Sequence, residues 1–327
     1  MNINLLQVKL TIYYQVKFPR RENIVIHDFA ELNNGASSDI YSYTLTYDMN
    51  GQSYSEARVL KLYAKGIMGV DRALKERHAL HSLHNEGFPV PGNTLVEVDE
   101  AHLGAAFVIM ERIEGQSMWD AITHAPDKRR SQLINLFSGL LADLHSLPWS
   151  VLVPNLKVND EYTLIKREIY NLKQSGSEIQ PVVEWLQARR DLVPCKRPVI
   201  THRDFHPHNI IITEEGAYEG IIIDWGWQIS DPRFDLGWTL TLLERSELSE
   251  YRSAVLAEYE RQTGTKVEHL EYFEVLASAY WLTNNVQALK NLQNGRRAAL
   301  TNNIRKATEM IQSRTGVELP AVEALLA

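Results

Sequence analysis

One stretch of this chain, His202–Asn209, constrains its fold more than any other. It reads His-Arg-Asp-Phe-His-Pro-His-Asn, and its Asp204 lies five residues before Asn209. The proline between them disfavours a helix and predicts a loop. Residues 210–223 read as two apolar strands joined by a Glu-Glu-Gly-Ala turn. Such a hairpin would return Asp224 to the loop, so that two carboxylates and an amide form an oxygen-rich site suited to Mg²⁺.

A zinc cluster is a second interpretation of the same residues. His202, His206 and His208, together with an aspartate, offer the imidazole and carboxylate ligands that zinc accepts. This interpretation predicts no lysine on an upstream strand and gives Asn209 no role. The first third of the chain therefore decides between the two.

That first third predicts a small antiparallel sheet. Asn50-Gly51 between two apolar runs is a strong hairpin signal. Residues 5–18 fit a helix ended by Pro19, although their alternation also allows a strand. Runs rich in β-branched and aromatic residues predict strands at 23–32, 40–47, 52–63, 94–99 and 105–113.

Lys61 lies near the end of the third predicted strand, and a helix is predicted over residues 70–85. The apolar face of that helix contains Ala73 and Leu80, and Glu76 lies on the same face. A carboxylate that faces the core needs a partner, and Lys61 is the natural one. The alternatives are that Lys61 is a solvated charge at a sheet edge and that Glu76 points sideways at the helix rim.

These features resemble the protein-kinase-like fold, and above all the aminoglycoside phosphotransferase and choline kinase-like family. His-Arg-Asp with an asparagine five residues after the aspartate is the kinase catalytic-loop spacing, and Asp-Trp-Gly stands where Asp-Phe-Gly is usual. The family's loop commonly reads His-Gly-Asp-Leu-His-Pro-Gly-Asn, which residues 205–209 follow. Asp231–Leu236 also matches, and the resemblance is strongest from Val199 to Leu236.

The resemblance implies an α+β fold with two lobes. The N-terminal lobe, residues 1–110, would hold a five-stranded antiparallel sheet and a helix. A hinge at 111–115 would lead to a larger, mainly helical C-terminal lobe at 116–327. The sequence itself predicts helices at 131–147 and, in two pieces, at 160–190.

The resemblance also implies an activity, the transfer of the γ-phosphate of ATP to a hydroxyl of a small molecule, with Mg²⁺ as cofactor and GTP as an alternative donor. Asp204 would be the catalytic base, and Asn209 and Asp224 would hold Mg²⁺. Lys61, with Glu76 behind it, would position the α- and β-phosphates.

Further positions follow from the same resemblance. His202 and Asp235 would brace the catalytic loop. Gly35 and Ser37 would contact phosphates, in a turn that holds one glycine where kinases have three. Adenine would bond at the hinge to the backbone of Met110, Glu111, Arg112 and Ile113.

The acceptor is expected to be a small molecule and not a protein. Asp224 and Asp235 are eleven positions apart, and no Ala-Pro-Glu follows, so there is no chain from which to build a peptide platform. Choline kinases usually have a glutamate after the metal-binding aspartate. Trp225 stands there, which disfavours choline. The rival hypothesis is a nucleotide-binding pseudoenzyme of the same fold, which a missing base or metal ligand would favour; none is missing.

Composition sets the remaining limits. The 327 residues carry a net charge of −7 without a basic block, which disfavours a nucleic-acid partner. Cys195 is the single cysteine and fits a reducing compartment. The chain shows neither a signal-peptide pattern nor a run of about 18 apolar residues. We therefore expect a cytoplasmic monomer or homodimer without a membrane partner.

Overall fold

The structure, a computed structural model, describes residues 2–34, 38–156, 160–214, 216–291 and 297–326. The chain forms two compact units. The first comprises Met1–Met118 and Asn209–Trp227, and the second comprises Trp119–His208 and Gln228–Ala327. The lobe limits inferred from the sequence, 1–110 and 116–327, stay a prediction.

Twelve α-helices lie within the described residues. They are α1 (Ile3–Lys17), α2 (Ile67–Asn85), α3 (Glu100–Leu103), α4 (Met118–His124), α5 (Asp127–Ser146), α6 (Thr163–Ser175), α7 (Gln180–Arg189), α8 (Pro232–Glu244), α9 (Arg252–Thr263), α10 (Leu270–Lys290), α11 (Arg297–Thr315) and α12 (Pro320–Leu326).

Ten strands lie within the same described ranges. They are β1 (Glu22–Asn34), β2 (Ser38–Met49), β3 (Gln52–Tyr63), β4 (Leu95–Glu97), β5 (Phe107–Glu111), β6 (Gln116–Ser117), β7 (Val199–Thr201), β8 (Ile210–Ile212), β9 (Gly220–Ile222) and β10 (Gln228–Ser230).

The first unit is built on a five-stranded antiparallel sheet with the strand order β1-β2-β3-β5-β4. The predicted five strands are therefore confirmed. Asn50 and Gly51 close the β2–β3 hairpin with φ angles of 52° and 77°. Both angles are positive, as a two-residue type I′ turn requires, and asparagine and glycine tolerate them best.

Residues 3–17 form helix α1, not the strand that was the alternative. Its buried side chains are Leu6, Leu10, Tyr13 and Tyr14, which follow the i, i+4, i+7, i+8 spacing of one helix face. That face packs with the aromatic and aliphatic residues of β1, β2 and β5 in one core. Burial of this helix face against the sheet therefore outweighs the apolar–polar alternation of residues 5–18 that suggested a strand.

A second small sheet of the first unit has the order β6-β8-β9. Gly115 precedes β6 with a φ of 155°, and a Cβ on it would lie 2.1 Å from the backbone oxygen of Ile212. Only glycine allows the chain to approach β8 this closely. This approach lets Gln116 and Ser117 pair with β8.

The second unit is mainly helical, with one core formed by α6, α7, α8, α10, α11 and α12. Helices α8 and α10 cross closely at Gly237, where a Cβ would lie 2.6 Å from the backbone of Phe273. The predicted pair of helices in 160–190 is confirmed, and their break includes Gly176. No helix of the described residues is both long and apolar enough to cross a membrane.

Candidate active site

Lys61 forms the centre of a buried charge cluster in the first unit. It lies on β3, opposite Ile40 of β2 and Val108 of β5, so it belongs to a central strand and not to an edge. Its Nζ lies 2.7 Å from Glu76 Oε2 and 2.5 Å from Asp224 Oδ1. Lys61 is 6% exposed and Glu76 is 3% exposed. The predicted pair is therefore confirmed, and both alternatives, the edge lysine and the rim glutamate, are wrong.

The fold of α2 explains why Glu76 faces inward. Ala73, Leu80 and Leu83 are fully buried on the same helix face, as the spacing predicts. A second donor, the hydroxyl of Tyr63, also bonds Glu76 Oε2. Sequence reasoning missed Tyr63, although a signal existed: Tyr63 follows Lys61 by two positions and so projects from the same face of β3.

The protonation states in this cluster follow from its charges. Burial alone lowers the pKa of Lys61, but the carboxylates of Glu76 and Asp224 more than offset it, so the pKa is raised above its usual value. Burial, followed by the charge of Glu76, raises the pKa of Tyr63. Lys61 is thus a cation and Tyr63 a neutral donor at pH 7.

The hairpin β8–β9 brings Asn209 and Asp224 together, as predicted. Ile210 pairs with Ile222, and the next residues are joined by a bond from Ile223 N to Asn209 O of 2.9 Å. Asn209 is buried, whereas the Asp224 side chain is 48% exposed. Asp224 has a φ of 62°, an uncommon angle for a residue with a side chain. Such outliers cluster at functional sites.

The turn that carries Asp224 is anchored to α2 and to the loop after it. The indole of Trp225 is buried, donates to Ile222 O at 3.0 Å and packs edge-on against Phe88. The indole of Trp227 donates to the backbone oxygen of Lys75 on α2 at 2.8 Å. Helix α2 therefore orients both partners of Lys61: Glu76 directly and Asp224 through this turn.

Asp204, the predicted base, lies in the second unit. Its Oδ1 accepts a hydrogen bond from the indole of Trp238 at 2.8 Å and lies 3.3 Å from His206 Nε2. Burial alone would raise the pKa of Asp204, but the hydrogen bond and charge of His206, with a contribution from His202, lower it below its ordinary value. The carboxylate is therefore ionised at pH 7 and held in one orientation.

The backbone before Asp204 is held by Asp235, which the resemblance identified as a brace. The Asp235 carboxylate accepts from His202 N at 2.6 Å and from Arg203 N at 3.0 Å. Arg203 has a φ of 76°, at the position where the family's loop commonly has glycine. A left-handed conformation costs a non-glycine residue roughly 1–2 kcal/mol. The two bonds to Asp235 hold this turn in place.

The side chain of Arg203 is held as firmly as its backbone. Its guanidinium makes a bidentate pair with Glu168 of α6, at 3.0 and 3.1 Å, and lies 3.5 Å above the Phe234 ring. Glu168 is 2% exposed and also accepts from Tyr280 Oη at 2.7 Å and from Gln228 Nε2 at 3.0 Å. Glu168 and Trp238 are the residues around the base that sequence reasoning missed, because neither lies in a recognisable motif.

The predicted contacts of the phosphates with the turn at Gly35 and Ser37, and of adenine with the hinge, stay predictions. Gly35 and Ser37 lie outside the described residues. Within the hinge, Glu111 N donates to Gly92 O and Arg112 N donates to Ala57 O, at 3.3 and 3.0 Å, so these two N–H groups are used within the fold. Met110 pairs with Val59 in the sheet. Adenine binding at 110–113 stays a prediction.

The histidines of the loop serve local packing. His202 Nδ1 accepts from Asp204 N at 3.3 Å, and the His208 ring stacks on Trp119 with centroids 4.4 Å apart. Among the residues that the structure describes, no three His, Cys, Asp or Glu side chains form a group that could hold a metal ion. The described residues thus do not include the ligand group that the zinc interpretation requires.

Comparison with known proteins agrees with the site's motifs. Residues 28–270 match the family described as "Phosphotransferase enzyme family". A curated protein named acyl-CoA dehydrogenase family member 11, from Pongo abelii, is 28% identical over an alignment of 204 residues, and the match covers 57% of this chain and 26% of that protein. The chain thus spans about a quarter of the length of this relative.

Several solved structures share the fold. A presumed aminoglycoside phosphotransferase from Ralstonia eutropha JMP134 has a TM-score of 0.66 at 15% identity, covering 94% of this chain and 98% of that one. Choline kinase LicA from Streptococcus pneumoniae gives 0.58 at 15% identity, covering 94% and 99%. A spectinomycin phosphotransferase in complex with ADP and spectinomycin gives 0.56 at 14% identity, covering 98% and 97%.

Proposed function

Because the chain belongs to the phosphotransferase enzyme family, we propose that it transfers the γ-phosphate of ATP to a hydroxyl of a small molecule, with Mg²⁺ as cofactor. The observation that carries this proposal is the buried Lys61, 2.7 Å from Glu76 and 2.5 Å from Asp224. A structural ion pair needs one carboxylate. The second carboxylate, Asp224, is half exposed on a turn and can bind a metal ion. It lies beside Lys61, the lysine expected to hold phosphates in this reaction class.

The residues fit a magnesium ion. Mg²⁺ prefers oxygen ligands, usually one or two carboxylates together with phosphate oxygens and water. Asp224 would supply an exposed carboxylate, and Asn209, whose backbone bonds the residue before Asp224, would supply an amide oxygen. When bound, Mg²⁺ would neutralise charge on the phosphates. Lys61 would bind the α- and β-phosphate oxygens, and Glu76 would keep its ammonium in place.

Asp204 would act on the acceptor. Its lowered pKa keeps it ionised, and Trp238 and His206 hold its carboxylate in place. Asp204 would orient the acceptor hydroxyl and accept its proton as the oxygen bonds to phosphorus. The rigid turn at Arg203 supports this role, because a positioned base loses efficiency when it moves.

A small acceptor is supported by the short segment after the metal turn. The second acid, Asp235, follows Asp224 by eleven positions and already lies in the first turn of helix α8, so the segment is too short for a peptide platform. The similar proteins named above act on choline or spectinomycin according to their names. GTP stays an alternative donor, and the cytoplasmic location and the oligomeric state stay predictions.

The experiment is ADP formation, followed by a coupled assay, against a panel of small alcohols, amino alcohols, hydroxy acids and aminoglycosides. Reactions with ATP, with GTP and without Mg²⁺ complete the set, and reactions without acceptor give the background. We expect Mg²⁺-dependent phosphorylation of at least one small alcohol and none of generic protein substrates. Tight Mg·ATP binding without turnover on the whole panel would favour the pseudoenzyme instead.

A further inference from the structure

A strip of three side chains leads away from the base along helix α8. Trp238, whose indole holds Asp204, is followed by Leu242 and then by Arg245 at the helix end. The offsets of four and seven residues put all three on one face of the helix. Phe234 to Leu243 are otherwise buried, and only Trp238 and Leu242 reach the surface in that span. The strip is apolar beside the base and cationic at its far end.

Arg245 differs from the other partly buried arginines of this unit. Its Nε and Nη1 are buried, and no hydrogen-bond partner for them exists among the residues that the structure describes. By contrast, carboxylates pair with Arg203, Arg233, Arg252 and Arg314. A guanidinium offers five N–H donors, and buried donors without an acceptor are costly, so Arg245 is predisposed to bind an anion.

The surroundings of Arg245 hold the guanidinium without neutralising it. Its Cζ lies 3.7 Å above the ring centroid of Trp281 on α10, a stacking contact that fixes the plane of the group. The nearest carboxylate in sequence, Glu244, is already paired with Arg314 at 2.5 Å and with Arg252 at 3.3 Å. Burial lowers the pKa of Arg245 to about 10, which still leaves it charged at pH 7. A carboxylate ligand would relieve the penalty of this buried charge.

We infer that the acceptor is an aliphatic hydroxy acid, whose hydroxyl lies at Asp204, whose chain lies on Trp238 and Leu242, and whose carboxylate binds Arg245. This inference rests on the proposed function. Seven residues of helix separate Trp238 from Arg245, or about 10 Å. An extended chain of roughly eight carbons spans that length. The inference also disfavours a cationic acceptor, such as an aminoglycoside or choline, because Arg245 would repel an ammonium group.

The test is calorimetric binding of ω-hydroxycarboxylates with 4 to 12 carbons and of the matched diols, for example 8-hydroxyoctanoate and 1,8-octanediol. We expect the best acid to bind at least tenfold more tightly than its diol, with an optimum near eight carbons. Arg245→Met should remove this preference and leave the diol unchanged, and Arg245→Lys should restore part of it. Arg261→Met, an exposed arginine on α9, is the matched control.

Thermal unfolding of each variant shows whether it is folded, and Mg·ATP binding shows whether the nucleotide site is intact. The inference is wrong if no acid binds better than its diol, including the case in which neither binds. It is also wrong if Arg245→Met weakens acid and diol equally. If the wild-type protein does not bind Mg·ATP, the proposed function is wrong. The two failures can be told apart, because the comparison of acid and diol binding needs no nucleotide.

Discussion

In the first unit one cation, Lys61, is shared by two carboxylates. In the second unit two carboxylates hold one residue, Arg203: Asp235 accepts from its backbone N–H, and Glu168 pairs with its guanidinium. The first arrangement joins side chains that, in the proposed function, would exchange partners when phosphates bind. The second fixes the backbone and the side chain of Arg203, the residue before the proposed base, Asp204, whose own contacts include Trp238 and His206. If the first region binds the nucleotide and the second positions the base, as proposed, substitutions in the two regions should have separable effects.

The largest expected difference is between Asp204→Ala and Asp224→Ala. Asp204→Ala should lower turnover by about 10²–10⁴-fold, the usual contribution of a positioned general base, with Mg·ATP affinity nearly unchanged. Asp224→Ala removes a partner of Lys61 and the carboxylate proposed to bind Mg²⁺, so nucleotide affinity and turnover should fall together.

Calorimetry of ATP binding with and without Mg²⁺, on both variants, checks this pair of predictions. If Asp204→Ala abolished Mg²⁺-dependent binding while Asp224→Ala spared it, the two roles would be reversed.

Lys61→Met is expected to have a smaller effect, a loss of stability and of ATP affinity. It leaves Glu76 buried with only the Tyr63 hydroxyl, and an unpaired buried charge costs about 3 kcal/mol. The free energy of unfolding in urea should fall by that amount, and ATP affinity should fall with it. Lys65→Met, at an exposed lysine four positions on, is the control and should change neither. Wild-type stability and turnover in Lys61→Met would show that the cluster has no role.

Glu168→Gln tests the contacts that hold Arg203 in the second unit. We expect it to change mainly the position of Asp204, the next residue. The loss of the bidentate pair frees the guanidinium of Arg203, whose left-handed backbone precedes the base. We expect about a tenfold lower kcat with KM for ATP unchanged, because a misplaced base loses rate without losing binding. Glu168→Asp should recover part of kcat.

Glu184→Gln on α7 is the control for that series, since Glu184 is exposed and accepts a hydrogen bond from Gln180 of its own helix. A parallel fall of kcat and ATP affinity in Glu168→Gln would mean that Glu168 merely stabilises the unit.

The difference between the regions also explains what the sequence could predict. The fold and the family are confirmed, because they rest on the motifs between Val199 and Leu236 and on their resemblance to a known family. The Lys61–Glu76 pair is confirmed because it rests on a local signal, a carboxylate on a core-facing stripe. Tyr63 could also have been predicted from a local signal, because it lies two positions after Lys61 on the same face of β3. Glu168 and Trp238 were not, since each meets the catalytic loop only after helices from distant parts of the chain pack together.

Element ends show the same limit on a smaller scale. The strand predicted over 94–99 is only Leu95–Glu97, and the first strand, predicted over 23–32, runs from Glu22 to Asn34. Periodicity locates the centre of an element, but hydrogen bonds to neighbouring strands decide where it ends. The site residues Gly35 and Ser37 stay predictions, as does the adenine contact at 110–113.

The smallest expected effect is the pH dependence of the stability that Asp204 contributes. The pKa of Asp204 is lowered in the folded protein, mainly by His206 against the opposing effect of burial. A lowered pKa means that the ionised group stabilises the fold above its unfolded pKa of about 3.9, and that this stabilisation is lost as the pH falls through the folded pKa. Since the side chain is 41% exposed, solvent screening keeps the contribution small.

The free energy of unfolding of the wild type minus that of Asp204→Asn should therefore stay constant from pH 7 to about pH 5 and decrease below about pH 4. Urea unfolding at pH steps from 3 to 7 measures it. Asp143→Asn, at an exposed aspartate of α5, serves as the control for general acid effects. A difference that grows on acidification would mean that folding raises the pKa of Asp204. The base would then be protonated nearer to neutral pH, which would contradict its role as an ionised proton acceptor.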